Sequence, residues 1–145
     1  SDFSKTNFDN CSAKNNICFF SNMSQSIFLK CNLDKFDLKD GNLNHSELID
    51  TIIINSSLRG TSIKNSNLKR ITFENCDLKK CNFSKSKISA CKFINCDLFM
   101  SKFLNSDLKS TTFENCNFFL SSFKDSSMLD TLFNGKNTME DIVKN

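Results

Sequence analysis

The stretch Phe73-Glu74-Asn75-Cys76-Asp77-Leu78 decides the fold. It returns twenty residues later as Phe93-Ile94-Asn95-Cys96-Asp97-Leu98, and again as Phe113-Glu114-Asn115-Cys116-Asn117-Phe118. A recurrence at constant spacing indicates stacked, equivalent units. Within each copy the two large apolar residues lie five apart, and this step of five continues without an insertion from Phe3 to Phe133. The sequence therefore predicts a repeat architecture.

We call the residues at this step of five the centres. They number 27 from Phe3 to Phe133, and 25 of them are Phe, Leu, Ile or Met, the exceptions being Ala13 and Cys18. All sixteen aromatic residues of the chain are phenylalanine. The buried volume therefore comes from rings that need no hydrogen-bond partner.

The position two residues before each centre is small. It is Ser, Thr, Cys or Gly in 24 of 27 cases, the exceptions being Asn16, Phe36 and Ile71. Every five residues thus supply one large and one small side chain to the interior. Because Phe36 and Ile71 are oversized for this position, we expect a local bulge or a widened corner at those two points.

A period of five fits neither an α-helix nor a continuous β-strand, so the chain must turn every five residues. Four such steps give the twenty-residue recurrence, which predicts coils stacked at about 4.8 Å with backbone pairing between them. At that spacing about six and a half coils form a rod roughly 30 Å long. The sequence places Asn55, Asn75, Asn95 and Asn115 in one column at a corner, where Asn tolerates a left-handed backbone.

Three segments carry a resemblance to a known family: Ser66-Asn67-Leu68-Lys69-Arg70, Cys76-Asp77-Leu78-Lys79-Lys80 and Ser106-Asp107-Leu108-Lys109-Ser110. They resemble the consensus of pentapeptide-repeat proteins, which is a small residue, then Asp or Asn, then Leu or Phe, then two variable positions. Here Ser and Cys replace the Ala that the family favours. The resemblance implies an all-β fold, a right-handed quadrilateral β-helix of about 6–7 coils with four five-residue faces per coil.

The two ends of the chain differ from the repeats. We expect the β-helix to occupy residues 1–134 and a short capping helix to lie within residues 135–145, helical from about residue 138 to residue 144. The segment Asn137-Thr138-Met139-Glu140 has the form of a capping box. The first coil is the least regular, and we expect that further residues precede it or that this end meets a partner.

Composition argues against several classes of partner. The formal charge is only +3, with 19 basic and 16 acidic residues, which gives weak steering toward anions. The densest basic region is Lys79, Lys80, Lys85, Lys87 and Lys92, and the chain has no Tyr or Trp for base stacking. No run of 18 apolar residues occurs. We therefore expect no nucleic-acid partner and no membrane insertion.

Cysteine usage indicates the compartment. Seven of the eight cysteines lie at the small position, where Ser and Thr alternate with them. Free Cys is buried readily and stays reduced in the cytosol, so the sequence predicts a cytoplasmic protein. Vertical pairs such as Cys76 and Cys96 could also have a separation compatible with a disulfide, and the sequence leaves that alternative open.

Catalytic chemistry has few candidate residues. The only histidine, His45, is predicted at a solvated corner, and the glycines do not form a phosphate-binding loop. The repeat itself explains the spacing of the cysteines. We therefore predict no enzyme activity, no cofactor, no metal site and no small-molecule substrate.

One outward group of apolar residues stands out. Phe99 and Phe119 continue a column that carries Lys or Arg in earlier coils, and Met100 and Leu120 lie beside them. Four adjacent large apolar side chains outside the core predict a partner surface. Three occupants remain open: the C-terminal segment folded back, a homodimer contact near the C-terminal end, or another protein.

The function best supported by the sequence is a non-enzymatic scaffold for protein–protein interaction. The family resemblance raises two alternatives. One is a DNA-mimicking topoisomerase (gyrase) protection protein, although such mimicry needs a strongly negative rod and this chain is net positive. The other is a secreted effector or structural module, which the sequence does not test.

Overall fold

Each step of five residues forms one side of a four-sided coil. A computed structural model describes residues 1–138, and over these residues the chain is an all-β parallel solenoid of about six turns. We number the coils 1 to 6 in blocks of twenty, from residues 1–20 to residues 101–120. Within coil 5 the centres of the first, second, third and fourth faces are Phe83, Ile88, Phe93 and Leu98.

The strands lie on the second and third faces. Within the described part of the chain they are β1 (Asn7–Asp9), β2 (Ser12–Lys14), β3 (Ile27–Leu29), β4 (Asn32–Asp34), β5 (Glu47–Ile49), β6 (Ile52–Ile54), β7 (Asn67–Lys69), β8 (Thr72–Glu74), β9 (Lys87–Ser89), β10 (Lys92–Ile94), β11 (Thr112–Glu114) and β12 (Leu132–Asn134). The second face is a sheet in the order β1-β3-β5-β7-β9, and the third face is a sheet in the order β12-β11-β10-β8-β6-β4-β2.

Every strand pairs in parallel with a strand whose residues lie twenty positions away in the sequence. Phe73, for example, pairs with Phe93. The first and fourth faces have isolated bridges at the same offset, for example Asn82 with Lys102 and Asp77 with Asp97. The constant offset keeps equivalent positions of successive coils directly above one another. The surface is therefore a set of vertical columns.

The corners have the backbone that the sequence predicted for Asn. Every fifth residue from Lys5 to Gly135 has a positive φ, and the values at Asn55, Asn75 and Asn95 are 52°, 54° and 52°. Asn75 Nδ2 donates to Asn55 Oδ1 at 3.4 Å, so the amides also bond along the stack. Asn tolerates this conformation better than most residues.

The core is built from stacked phenylalanine rings. On the third face, the ring of Phe93 stacks on Phe73 at 4.9 Å and on Phe113 at 4.8 Å between centroids. On the first face Phe83 and Phe103 stack at 4.8 Å. The two ladders meet edge to face, as Phe83 and Phe93 do with an interplanar angle of 89°. The predicted assignment of the centres to the core is correct from Met23 to Phe123, whereas Phe3 is exposed.

The small position has a role beyond packing. Ser86 Oγ accepts a bond from the amide of Ser66 at 3.1 Å and donates to the carbonyl oxygen of Ile63 at 2.7 Å. Cys81 Sγ donates in the same way to the carbonyl oxygen of Leu58 at 2.8 Å. A hydroxyl or thiol at this position therefore links two coils, which explains why Ser, Thr and Cys stand here.

The expected bulges at Phe36 and Ile71 are absent. The amide of Ser57 donates to the carbonyl oxygen of Phe36 at 3.0 Å, and the amide of Lys92 donates to the carbonyl oxygen of Ile71 at 2.9 Å. Both bonds have the same sequence offset as the equivalent bonds between other coils. The ring of Phe36 lines an apolar cavity of about 160 Å³ together with the small Ala13 and Cys18, so space for it exists. Ile71 is fully buried between smaller residues of its column, Thr51 below and Cys91 above.

Residues 135–138 are not helical, which corrects the predicted start of the capping helix. Asn137 does not cap a helix: its Oδ1 accepts from the amide of Cys116 at 2.7 Å, and its Nδ2 donates to the carbonyl oxygen of Phe113 at 3.3 Å. Thr138 pairs with Asn117, so the last coil has gained one residue. The remainder of the predicted helix, residues 139–145, lies outside the described residues.

Candidate interaction surface

The fourth face consists of two outward columns that flank the inward centres. The column before the centres contains Ile17, Asp37, Ser57, Asp77, Asp97 and Asn117. The column after the centres contains Phe19, Lys39, Arg59, Lys79, Phe99 and Phe119. The adjoining corner contains Phe20, Asp40, Gly60, Lys80, Met100 and Leu120. Residue type therefore changes along the rod from apolar to charged and back to apolar.

The four residues singled out from the sequence come together at the C-terminal end of this face, and we call them the upper patch: Phe99, Met100, Phe119 and Leu120. The rings of Phe99 and Phe119 stack with centroids 5.9 Å apart and planes 9° apart. Met100 and Leu120 are 41% and 45% exposed. The amide of Met100 donates to the carbonyl oxygen of Phe119 at 3.0 Å, which holds the two coils together beneath the side chains.

The backbone at the upper patch is unfavourable for its residues. Met100 and Leu120 occupy corners with φ of 56° and 59°, a left-handed conformation that Gly and Asn adopt at lower cost. Their side chains are exposed and add little to the core. Apolar residues at these corners thus have no evident benefit for folding.

A second apolar group lies at the N-terminal end of the same face, and we call Ile17, Phe19 and Phe20 the lower patch. Their exposed fractions are 72%, 45% and 73%. Sequence reasoning missed this group because it treated coil 1 only as irregular. The available signal was the spacing, since Phe19 lies in the same twenty-residue column as Phe99.

Paired charges occupy the middle of the fourth face. Lys79 Nζ lies 3.6 Å from Asp77 Oδ2 and 3.6 Å from Asp97 Oδ2. Asp77 Oδ1 accepts from the amide of Lys79 at 3.1 Å, which stabilises the turn. Lys39 Nζ lies 5.3 Å from the ring centroid of Phe19. The acidic and basic columns run side by side, as the sequence predicted.

Within residues 1–138, groups suited to catalysis do not converge. His45 is an exposed corner residue with φ of 60°. All eight cysteines are free. Burial raises the pKa of the Cys91 thiol to about 12 and that of Cys81 further still, so neither supplies a thiolate nucleophile at neutral pH. Among the described residues no group of three or more His, Cys, Asp or Glu could hold a metal ion.

The basic residues that are dense in the sequence separate in space. Lys79 and Lys80 belong to the fourth face, Lys87 lies in β9 on the second, and Lys92 lies in β10 on the third. They form no single basic strip for a phosphate backbone to follow. In the part of the chain that the structure describes, no helix has the length and apolar character needed to cross a bilayer.

Comparison with known proteins places this repeat in a family. The family model for the pentapeptide repeat region matches residues 66–141, and the model for pentapeptide repeats (8 copies) matches residues 31–70. The chain belongs to the pentapeptide-repeat family. No curated protein matches it at a significant level.

Solved structures of pentapeptide-repeat proteins share the fold. Rfr23 from the cyanobacterium Cyanothece 51142 matches with a TM-score of 0.61 and 21% identity, over 65% of this chain and 64% of Rfr23. QnrB1, a plasmid-mediated fluoroquinolone resistance protein, matches with a TM-score of 0.65 and 14% identity, over 92% of this chain and 75% of QnrB1. A protein of the Arabidopsis thaliana thylakoid lumen, AT2G44920, matches with a TM-score of 0.51 and 19% identity, over 66% of this chain and 63% of that protein.

This chain therefore spans less than two thirds of Rfr23 and of the lumenal protein. Identities of this size show a common fold, and the fold of a pentapeptide-repeat protein does not determine its partner. A functional conclusion has to come from the surface columns of this chain.

Proposed function

We propose that this pentapeptide-repeat protein is a non-enzymatic scaffold that binds protein through its fourth face. The observation that carries the proposal is the upper patch, in which two stacked rings and two exposed apolar side chains lie together on the surface. Clustered exposed apolar side chains mark contact surfaces, and aromatic residues and Met are enriched in interface cores.

The residue types at the corners of the upper patch support the same proposal. Met100 and Leu120 accept a left-handed conformation that costs about 1–2 kcal/mol for an ordinary residue. Asn fills the equivalent kind of corner at Asn95 and Asn115. The fold requires this backbone at every corner but requires no apolar side chain there, so the exposed apolar side chains of Met100 and Leu120 point to a role outside the fold.

A binding comparison between two variants tests the proposal. Immobilised wild-type protein is exposed to a lysate of the native host and compared with Phe99→Asp/Phe119→Asp and with Lys102→Asp. Lys102→Asp makes the same change in net charge on the first face, where Lys102 is exposed. We expect specific partners to be retained by Lys102→Asp and lost by the double variant; equal capture by all three proteins would contradict the proposal.

A DNA-mimicking role in topoisomerase protection is less well supported. Mimicry of a duplex requires continuous negative columns, whereas Lys79 lies between Asp77 and Asp97 and pairs with both. The chain is net positive at +3. We expect no effect in a gyrase supercoiling assay with or without a fluoroquinolone, and inhibition or drug protection would restore this alternative.

We also propose a cytoplasmic location. Eight free thiols are compatible with a reducing compartment. Fractionation of host cells with an antibody to the chain tests this proposal, and recovery from an extracytoplasmic fraction would contradict it.

A further inference from the structure

The corner between the second and third faces carries a concentration of positive charge in coils 4 to 6. Four outward columns meet around this corner, and their residues in these three coils are Asn67, Lys87 and Asp107, then Lys69, Ser89 and Lys109, then Arg70, Ala90 and Ser110, and finally Thr72, Lys92 and Thr112. They include five cationic side chains and one carboxylate, a net charge of +4, whereas the whole chain has a net charge of +3. The excess positive charge of the rod is therefore located at this corner, which we call the basic corner.

The stacking of the coils brings three of these lysines together. Lys69 pairs with Ser89 between β7 and β9, and the amide of Ala90 donates to the carbonyl oxygen of Lys109 at 3.0 Å. Lys69, Ser89 and Lys109 thus lie above one another at about 4.8 Å per coil. Lys87 lies two residues before Ser89, on the same outward side of β9. Lysines from three successive coils therefore lie around one serine.

An open pocket of about 440 Å³ lies among these lysines. Besides Lys69, Lys87, Lys109 and Ser89, the residues that line it are Ala90, Ser110 and Asp107. Ala90 occupies the corner one coil above Arg70 and one coil below Ser110, and its methyl group leaves space that a longer side chain would fill. The pocket thus offers three ammonium groups and two hydroxyl groups around a short side chain.

The lysine ammonium groups are available to a ligand. Lys69, Lys87, Lys92 and Lys109 are exposed, and none of them forms an ion pair with a carboxylate of residues 1–138. Arg70 differs, because its Nη2 donates to Asp50 Oδ2 at 3.1 Å. A ligand at the basic corner would therefore meet lysines whose charges are not already paired.

The single carboxylate of the pocket has a structural role. Asp107 Oδ1 accepts from the amide of Lys109 at 3.2 Å, which stabilises the turn after the centre of this face. One carboxylate against three lysines leaves the pocket positive. The field in the pocket therefore favours an anion.

Negative charge limits the length of that anion along the rod. The corner column carries Asp50 in coil 3 and Asp130 beyond coil 6, which are four coils or roughly 19 Å apart. A longer polyanion laid along the column would meet a carboxylate at either end. The four columns also contain no aromatic residue in coils 4 to 6 on which a base could stack. The basic corner thus favours a compact anion over a nucleic acid.

We propose that the basic corner binds a small anion with two or more adjacent phosphoryl groups, such as inorganic triphosphate or the triphosphate of a nucleotide. Lysine binds phosphate as a point charge, and the hydroxyls of Ser89 and Ser110 donate to phosphoryl oxygens. Because several lysines compensate several negative charges, affinity should rise from phosphate to diphosphate to triphosphate. The site lies on other faces than the proposed protein contact and is independent of it.

A titration of ¹⁵N-labelled protein followed by NMR tests the proposal. Inorganic phosphate, diphosphate and triphosphate are added up to about 5 mM without Mg²⁺, a range that detects dissociation constants near 1 mM. We expect saturable shifts of the amides of Lys69, Ser89, Ala90 and Lys109, the tightest binding for triphosphate, and weaker binding at high salt. No saturable shift with triphosphate, or shifts confined to another face, would overturn the proposal.

Two lysine variants separate a site from net charge. Lys69→Gln/Lys109→Gln removes two charges from the pocket, and Lys64→Gln/Lys102→Gln removes two charges from the first face in the same two coils. We expect triphosphate binding at least about tenfold weaker for the first variant and nearly unchanged for the second. Equal weakening in both would contradict a site at the basic corner.

An isosteric pair at Ala90 tests the position of the anion. Asp and Asn both occupy left-handed corners elsewhere in this chain, at Asp50 with φ of 51° and at Asn75 with φ of 54°, so Ala90→Asp and Ala90→Asn should both fold, which circular dichroism checks. Ala90→Asp should abolish measurable triphosphate binding by repulsion, whereas Ala90→Asn should retain it. Equal affinity of the two variants would mean that the anion does not lie at this corner.

A comparison of ligands identifies the source of the phosphoryl groups. Equal affinity for inorganic triphosphate and ATP would confirm that the phosphoryl groups alone are recognised. Binding of ATP without binding of triphosphate would overturn the proposal, as would tighter binding of a single-stranded oligonucleotide of equal charge. Phe99→Asp/Phe119→Asp should bind triphosphate as wild type does, so that failure of the fourth face as a protein contact and failure of the basic corner remain distinguishable.

Discussion

Side chains at the small position differ in whether their polar atoms have hydrogen-bond partners. Ser86 Oγ makes two bonds to coil 4, with distances of 2.7 Å to the carbonyl oxygen of Ile63 and 3.1 Å to the amide of Ser66. Ser101 is fully buried at the same kind of position, and its Oγ has no hydrogen-bond partner. A buried hydroxyl without a partner is destabilising. The repeat position alone therefore does not determine what a serine contributes.

We expect opposite results from the same substitution at these two serines. Ser86→Ala removes two inter-coil bonds and should lower the free energy of unfolding by about 1–2 kcal/mol. Ser101→Ala removes only an unpaired group and should leave that free energy unchanged or raise it. Urea denaturation of both variants measures the difference, and an equal loss in the two would show that Ser101 has a partner.

The pH dependence of stability should reflect the buried thiols. Burial raises the pKa of Cys91 from 9.0 to about 12, so the folded protein keeps this thiol protonated while the unfolded chain ionises above pH 9. A raised pKa of this kind stabilises the fold fully below pH 9, and the contribution is lost as the pH rises from 9 toward 12.

Urea denaturation at pH 8 and pH 10 tests this contribution. The wild type should lose about 1.4 kcal/mol more than Cys91→Ala between the two values, since one pKa unit corresponds to that amount. The comparison with Cys91→Ala removes the effect of the other titrating groups. Identical losses would mean that Cys91 is accessible to solvent in the folded protein.

At the scale of the elements, the four faces differ in secondary structure, and the residue types at the centres do not predict this difference. Large centres occur on all four faces, yet over residues 1–138 only the second and third carry continuous strands. The residue before the centre holds part of the signal: Asp77 Oδ1 and Asp97 Oδ1 each accept the amide two residues later, at 3.1 Å and 3.0 Å, and thereby favour a turn. Asn67 lies in β7, however, so this signal is incomplete.

The phenylalanine ladder should carry much of the stability. Phe93 is fully buried between Phe73 and Phe113 and meets Phe83 and Phe103 edge to face. Phe93→Ala should cost about 3–5 kcal/mol, because it leaves a cavity in a core that cannot collapse along a fixed register.

Phe3→Ala is the matched control, since Phe3 is 43% exposed at the first coil. It should cost less than half as much. Chemical denaturation measures both variants, and a similar cost for the two would contradict the ladder as the centre of stability.

The corner at Leu120 should show a conflict between stability and binding. Leu120 has φ of 59°, and Asn adopts that conformation at lower cost. Leu120→Asn should therefore raise the free energy of unfolding by about 0.5–1 kcal/mol while it weakens any contact made by the upper patch. Thermal melting together with the comparison of partner capture from host lysate measures the two effects, and a destabilised variant would show that Leu120 serves the fold.

At the scale of the whole molecule, the sequence was sufficient to predict the architecture but not the local structure at its irregular positions. The step of five predicted the core, the corners and the twenty-residue stacking because the same geometry repeats without interruption. The outcome at Phe36 could not be predicted, since it depends on space left by Ala13 and Cys18 one coil earlier. The upper patch was predictable from its column, and Phe19 of the lower patch lies in that same column, whereas the exposures of Ile17 and Phe20 required the structure.

Stability should vary along the rod, because each coil contacts only its neighbours. The centres of coil 1 are exposed or half-buried, while Leu78, Phe83 and Phe93 are fully buried. Hydrogen exchange should therefore be slowest in coils 4 and 5 and faster in coil 1. Uniform protection from coil 1 to coil 6 would mean that the protein unfolds only as one unit.

The equal length of the four sides constrains how such a chain can change in length. Inserting or deleting one complete coil of twenty residues alters the height of the rod and leaves every surface column continuous. Inserting five residues instead rotates everything that follows by a quarter turn, so that Phe99 and Phe119 would leave the side on which Phe19 lies. Insertions or deletions that preserve the fourth face are therefore confined to multiples of twenty residues. Continuity of the core alone would require only multiples of five residues.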